Sequence, residues 1–186
     1  GADRLIAETT SAPGAEMSGF GTPVAVGPAL ENQHTSPSAM GLITGGVLVG
    51  TTSHSKQPFL DIGWLGRPLT RVVRPDSWIA PGQGVSYTLT ARVSGQIWLL
   101  YRGESYSWNL LTSSDGRRWV PRGLVIRPGL VGASPYVQAT SDGRQLHLTV
   151  TTGHPSRTWR NSAYYCVVRP DLSIADSTGR AVGSRE

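Results

Sequence analysis

Four side chains in this sequence share a chemistry. His34 and His54 flank one strand-like stretch, Tyr87 stands at the start of the next, and Arg102 closes the stretch after that. An imidazole moves protons near neutral pH, and a guanidinium is a permanent cation whose fork fits a carboxylate. A phenol gives or takes a proton once its surroundings tune it. Such a set suits β-elimination next to a carboxylate. A base removes the proton on the carbon beside the carboxylate, the 4-linked oxygen departs, and a cation stabilises the enediolate. In that chemistry Tyr87 is the base or the acid, and Arg102 sits on the carboxylate. His34 and His54 neutralise charge or shuttle protons. For Tyr87 to act as the base, nearby positive charge must lower its pKa.

Other candidates are weaker. His154 and Cys166 fall on neighbouring predicted strands and are the sequence's best pair for zinc, with His147 or an acidic residue as a third ligand. Otherwise Cys166 is a small hydrophobe and His147, in mid-strand, a hydrogen-bonded structural residue. Trp98 and Trp108 read either as core or as platforms for sugar stacking; Tyr101, Tyr164 and Tyr165 read as packing aromatics. There is no Ser-His-Asp spacing, glycine-rich phosphate loop or EF-hand pattern. Asp61, Asp76 and Glu104 are too scattered to form a glycosidase carboxylate pair.

What must position these residues is a repeat. Ser36–His54, Val85–Gly103 and Ser134–His154 begin at positions 36, 85 and 134, a spacing of 49 both times. Each reads as a strand, a Gly-bearing turn (Gly45-Gly46, Ser94-Gly95, Asp142-Gly143) and a second strand. Further strand-like runs follow at 58–64, 107–112 and 162–168, and a fourth, 119–126, completes the second unit. Helical periodicity is not sustained anywhere. Four short antiparallel strands in about fifty residues is the pattern of a β-propeller blade, so an all-β fold is expected. Ser113-Ser114-Asp115-Gly116-Arg117-Arg118-Trp119 resembles the Asp-box turn of sialidase-like propellers, shortened by one residue. Its expected role is structural: the Asp accepts backbone N–H groups and the Trp packs between sheets. The predicted organisation is an N-terminal segment, 1–33, with outer strands of an incomplete blade, then blades at 34–84, 85–133 and 134–186. At 49 residues per unit, the 186 residues hold fewer than four blades, whereas closed propellers have four to eight; an open sheet stack is the alternative to a ring. Further blades or other copies would therefore complete the ring, a seven-bladed propeller being the expectation.

The 186 residues carry a net charge of +5 from sixteen Arg and one Lys, Lys56. An Arg-only basic surface fits an anionic partner, although high-GC codon usage gives the same bias. No Lys/Arg run and no helix-turn-helix, zinc-finger or RNP-like signature points to nucleic acid. No eighteen-residue apolar stretch is present, and GADRLIAETT lacks a leader pattern. One cysteine excludes an internal disulfide.

Several segments, in order, are similar to the BNR-repeat polysaccharide lyases, which include seven-bladed ulvan lyases. They are Asn32-Gln33-His34-Thr35-Ser36-Pro37, Thr52-Ser53-His54-Ser55, Tyr87, Leu99-Leu100-Tyr101-Arg102-Gly103, Thr152-Gly153-His154-Pro155 and Asn161-Ser162-Ala163-Tyr164-Tyr165. The resemblance runs from about Glu31 to Gly183. It implies a catalytic group of His34, His54, Tyr87 and Arg102, with Tyr101, Trp108, His154, Asn161 and Tyr164 on the substrate side. It requires no cofactor. Asn32 and Gln33 depart from the family, whose members usually carry acidic residues there. The implied function is binding or β-elimination of a uronate-containing acidic polysaccharide by a secreted, virion or cell-surface protein. The alternatives are a non-catalytic glycan-binding propeller, such as a phage tail component, and a purely structural repeat.

Overall fold

The computed structural model describes residues 6–7, 24–25, 37–43, 46–52, 60–65, 85–129, 133–154 and 160–183. They form an all-β chain of antiparallel strands with no α-helix among the described residues, so none is long and apolar enough to cross a membrane. Among the described residues, strands β1 (Ile6–Ala7) and β2 (Val24–Ala25) pair with each other. The first sheet holds β3 (Ser38–Gly41), β4 (Val47–Thr52) and β5 (Leu60–Leu65). The second holds β6 (Ser86–Val93), β7 (Gln96–Arg102), β8 (Trp108–Ser113) and β9 (Val120–Ile126), with a 3₁₀ turn at Glu104–Tyr106. The third holds β10 (Val137–Ser141), β11 (Leu146–Thr151), β12 (Ala163–Val168), β13 (Ile174–Ala175) and β14 (Ala181–Gly183). Within each sheet, sequence neighbours are spatial neighbours.

The turns follow from their residues. Gly46, Gly95 and Gly143 all have φ between 80° and 90°, a region costly for a side chain, at the three predicted hairpin turns. Asp115 Oδ1 accepts the backbone N–H groups of Arg117 and Arg118 at 2.8 and 2.9 Å. Trp119 is buried, and its indole N–H donates to Gly116 O. This turn therefore has the geometry expected of it. Asp142 Oδ1 holds the next hairpin in the same way, on the N–H groups of Arg144 and Gln145. β13 and β14 were not foreseen, because neither is longer than three residues.

Two apolar layers join the three sheets. Leu48 of the first sheet packs with Ile97, Leu99, Tyr101, Leu111 and Trp119 of the second. The opposite face of the second sheet (Ala91, Trp98, Leu100, Trp108, Leu110) packs on Val137, Leu146, Leu148 and Val168 of the third. Alternation along β7 feeds both layers, since successive residues face opposite sides. Polar cross-ties link positions one repeat apart: Ser38 Oγ to Thr88 Oγ1 at 3.0 Å, and Ser141 Oγ to Arg92 O at 2.6 Å. Ser94 N–H donates to Gly143 O at 2.8 Å. The ties between the second and third sheets span 49 residues, the repeat spacing, and the one between the first and second spans 50.

Candidate functional site: a buried arginine under three tyrosines

Arg102 ends β7, where its neighbour across the ladder is Ser86. The ladder then skips a residue: Thr88 pairs with Tyr101, and Tyr87 is left over as a bulge with φ 55°. Left-handed backbone costs a tyrosine on the order of 1 kcal/mol, and bulges re-aim side chains. Here the bulge sets the Tyr87 ring over the guanidinium, 4.5 Å from Arg102 Cζ to the ring centre. Two more rings complete the cover. Tyr106 and Tyr136 each lie 5.3 Å from Cζ. Tyr106 belongs to the 3₁₀ turn, where Ser105 and Tyr106 are both left-handed (φ 51° and 60°).

Arg102 is only 4% exposed. Its Nε donates to Ser86 Oγ at 2.9 Å. Its Nη1 is buried and has no hydrogen-bond partner, and no carboxylate pairs with the guanidinium among the described residues. An unsatisfied buried donor on a charged group costs about 1–3 kcal/mol or more. The π faces of three rings offset part of that, since a desolvated cation–π contact contributes roughly 2 kcal/mol. The Tyr87 hydroxyl also meets the guanidinium as a hydrogen-bond partner, but it is neutral and does not replace a carboxylate. The arrangement is a preformed cation short of an anion.

Tyr87 is braced as well as bulged. Its ring stacks beside Trp108 (6.4 Å, 25°) and meets Tyr136 edge-on at 5.5 Å, and its hydroxyl donates to Tyr136 Oη at 3.4 Å. Burial, then the Tyr136 hydroxyl, push its pKa up to about 12, while the Arg102 charge and its hydrogen bond pull the other way. The sequence reading required a lowered value for a base. The structure gives the opposite sense, because desolvation outweighs the neighbouring cation. Tyr87 at neutral pH is a phenol, suited to donating a proton.

His154 joins this group through Tyr136, ring to ring at 5.6 Å. Asn161 is exposed and braces a loop. Its amide spans the Gly153 backbone, accepting from N at 3.1 Å and donating to O at 2.9 Å. It holds the loop that presents His154. Tyr101 is a core side chain, 7% exposed, on the face of β7 opposite Arg102. Trp108 is 1% exposed and donates its indole N–H to Pro135 O; it forms the floor beneath Tyr87, with no face free for a sugar. Tyr164 and Tyr165 are not packing aromatics: they are 60% and 45% exposed. His147 is hydrogen-bonded on the surface, Nδ1 to Tyr165 Oη at 2.6 Å and Nε2 to Asp142 Oδ2 at 3.5 Å. His34 and His54 lie outside the described residues.

Cys166 stands opposite Leu148, three residues inside β11, with its thiol packed on the apolar layer and its pKa raised by burial. His154 lies beyond the end of that strand. Among the described residues no group of three or more His, Cys, Asp or Glu could hold a metal ion.

Tyr136, Tyr106 and Ser86 were missed from sequence. For Tyr136 a signal existed: it lies 49 residues after Tyr87, one repeat on. No known protein family matches the chain, and no curated protein matches it either.

Proposed function

We propose that this chain is part of a β-propeller that binds a uronate-bearing acidic polysaccharide at Arg102 and cleaves it by β-elimination, as the lyases it resembles do. The observation that carries the reading is the buried Arg102 beneath Tyr87, Tyr106 and Tyr136, with Nη1 unsatisfied and no carboxylate partner among the described residues. A uronate carboxylate supplies the acceptor that Nη1 lacks, in surroundings where charge-assisted hydrogen bonds are strong. To reach it, a covering ring must move. Tyr106, 44% exposed on its left-handed turn, is less buried than the other two.

In the reaction an imidazole takes the C5 proton; His154 is nearest among the described residues, with His34 and His54 as further candidates. The electron pair forms the C4–C5 double bond as the C4–O4 bond breaks. Arg102 offsets the charge gathering on the carboxylate. Tyr87 gives its phenolic proton to O4, the role its raised pKa suits. Stacked sheets of equal repeat length support the propeller, with further units completing the ring. A polymeric acidic substrate fits a secreted or surface location.

Incubation with ulvan and other uronans, followed by the ultraviolet absorbance of the unsaturated product, tests this. Product formed by the wild type and lost in Arg102→Ala supports the lyase. Uptake without new absorbance leaves a second reading, a glycan-binding module using the same cation. The neutral Tyr87 favours that reading to the extent that no phenolate base is at hand. Neither binding nor product removes both.

A further inference from the structure

We propose that Tyr136 is a positioning residue for Tyr87, a second phenol from the adjacent sheet that keeps the first in place as a neutral proton donor over Arg102. The role of Tyr87 as donor rests on the lyase reading above; the coupling of the two phenols does not.

The geometry is specific. Tyr136 precedes β10 and is fixed at both ends of its peptide: its N–H donates to Thr151 Oγ1 at 3.0 Å, and its carbonyl accepts from Thr151 N–H at 2.9 Å. It therefore belongs to the third sheet, whereas Tyr87 and Arg102 belong to the second. Its ring meets Tyr87 edge-on, and its Oη accepts the Tyr87 hydroxyl proton at 3.4 Å. The same ring covers Arg102 at 5.3 Å and touches His154 at 5.6 Å on its other side. Burial already disfavours the Tyr87 phenolate, and while Tyr136 Oη is the acceptor the hydrogen bond exists only for protonated Tyr87, so it must be given up or turned round before Tyr87 ionises. The pair resists deprotonation, and a cation 4.5 Å from one ring does not undo it. A lone Tyr87 beside Arg102 would ionise more readily. It would then neutralise the cation that the substrate carboxylate is meant to find.

Tyr136→Phe separates the hydroxyl from the ring, since it keeps the edge contact and the cover over Arg102. Tyrosine labelled with ¹³C at Cζ reports ionisation by chemical shift, and Tyr87 is assigned by the peak missing in Tyr87→Phe. In the wild type the Tyr87 peak stays at its neutral position to about pH 11. In Tyr136→Phe it moves at lower pH, toward the ordinary tyrosine value of about 10. With a uronan substrate, the alkaline limb of the turnover profile shifts down with it, and kcat falls about three- to tenfold, the worth of one hydrogen bond. Tyr136→Ala loses the ring too and binds substrate more weakly. An unchanged Tyr87 titration in Tyr136→Phe overturns the coupling, whether or not the protein turns over. If the wild type yields no product while the titration shifts as described, the coupling stands and the lyase reading falls.

Discussion

The second and third sheets open with hairpins of one design and opposite surroundings. In β6–β7 Leu89 faces Leu100 and Ala91 faces Trp98; one repeat later, in β10–β11, the same places hold Gln138 facing Thr149 and Thr140 facing His147. The first set is covered by the third sheet, with Trp98 and Leu100 at 2% and 0% exposure. In the second set Gln138, Thr140 and Thr149 are exposed, and His147 is tied to Tyr165 and Asp142. Backbone register is common to both hairpins; what differs is whether the outward side chains leave water. The ends of the hairpins differ in the same way. Tyr87 recurs as Tyr136, but Arg102 recurs as Thr151, so among the described residues the buried cation stands at the junction of the two sheets. The site belongs to the seam between repeats and not to the repeat itself.

The contrast can be broken by substitution. Trp98→Ala or Leu100→Ala should cost about 2–5 kcal/mol in urea unfolding, whereas Thr149→Ala, at the place equivalent to Leu100, stays within about 0.5 kcal/mol. Equal losses would mean that the outward face of the third sheet is buried in solution. Arg102→Ala should weaken binding of uronate oligomers on the order of 100-fold, as loss of one partner of a buried charge pair does. Thr149→Ala, on the exposed face of the third sheet, should leave that affinity within twofold by calorimetric titration.

Smaller effects sharpen the comparison. Asp115→Asn removes the carboxylate that organises the turn after β8 and should cost about 1 kcal/mol at neutral pH. Its backbone N–H partners hold the Asp115 carboxyl below the usual range. The stability it contributes is present above about pH 4 and is lost as pH falls through the lowered value, so the variant's deficit should shrink in acid. Asp142→Asn should behave alike, since its turn is built the same way. Tyr87 has the opposite sign. Its folded-state pKa is raised, so the native state keeps a proton that the unfolded chain releases first, and stability declines from about pH 10 towards about 12. Tyr87→Phe should flatten that decline.

Much of this was legible in residue order. Gly at each hairpin, the period of two along β7 and the spacing of 49 fixed the strands and the stacking, because turn chemistry and alternation act within a few residues. Arg102 and Tyr87 were recognisable as partners for the same reason, since they close and open the two strands of one hairpin. Tertiary structure decided the rest. A bulge turned Tyr87 towards Arg102, and no run of side chains announces a skipped ladder position. Burial, which keeps Tyr87 a neutral phenol, goes with its contacts to Tyr136, just before β10, and to Trp108 of β8. Tyr101, adjacent to Arg102, went to the core because consecutive strand residues part to opposite faces, and only the neighbouring sheets determine which face stays near an opening. Local chemistry shapes each unit of this chain, but the free energy of a charge depends on everything packed around it, and that is assembled from segments a full repeat apart.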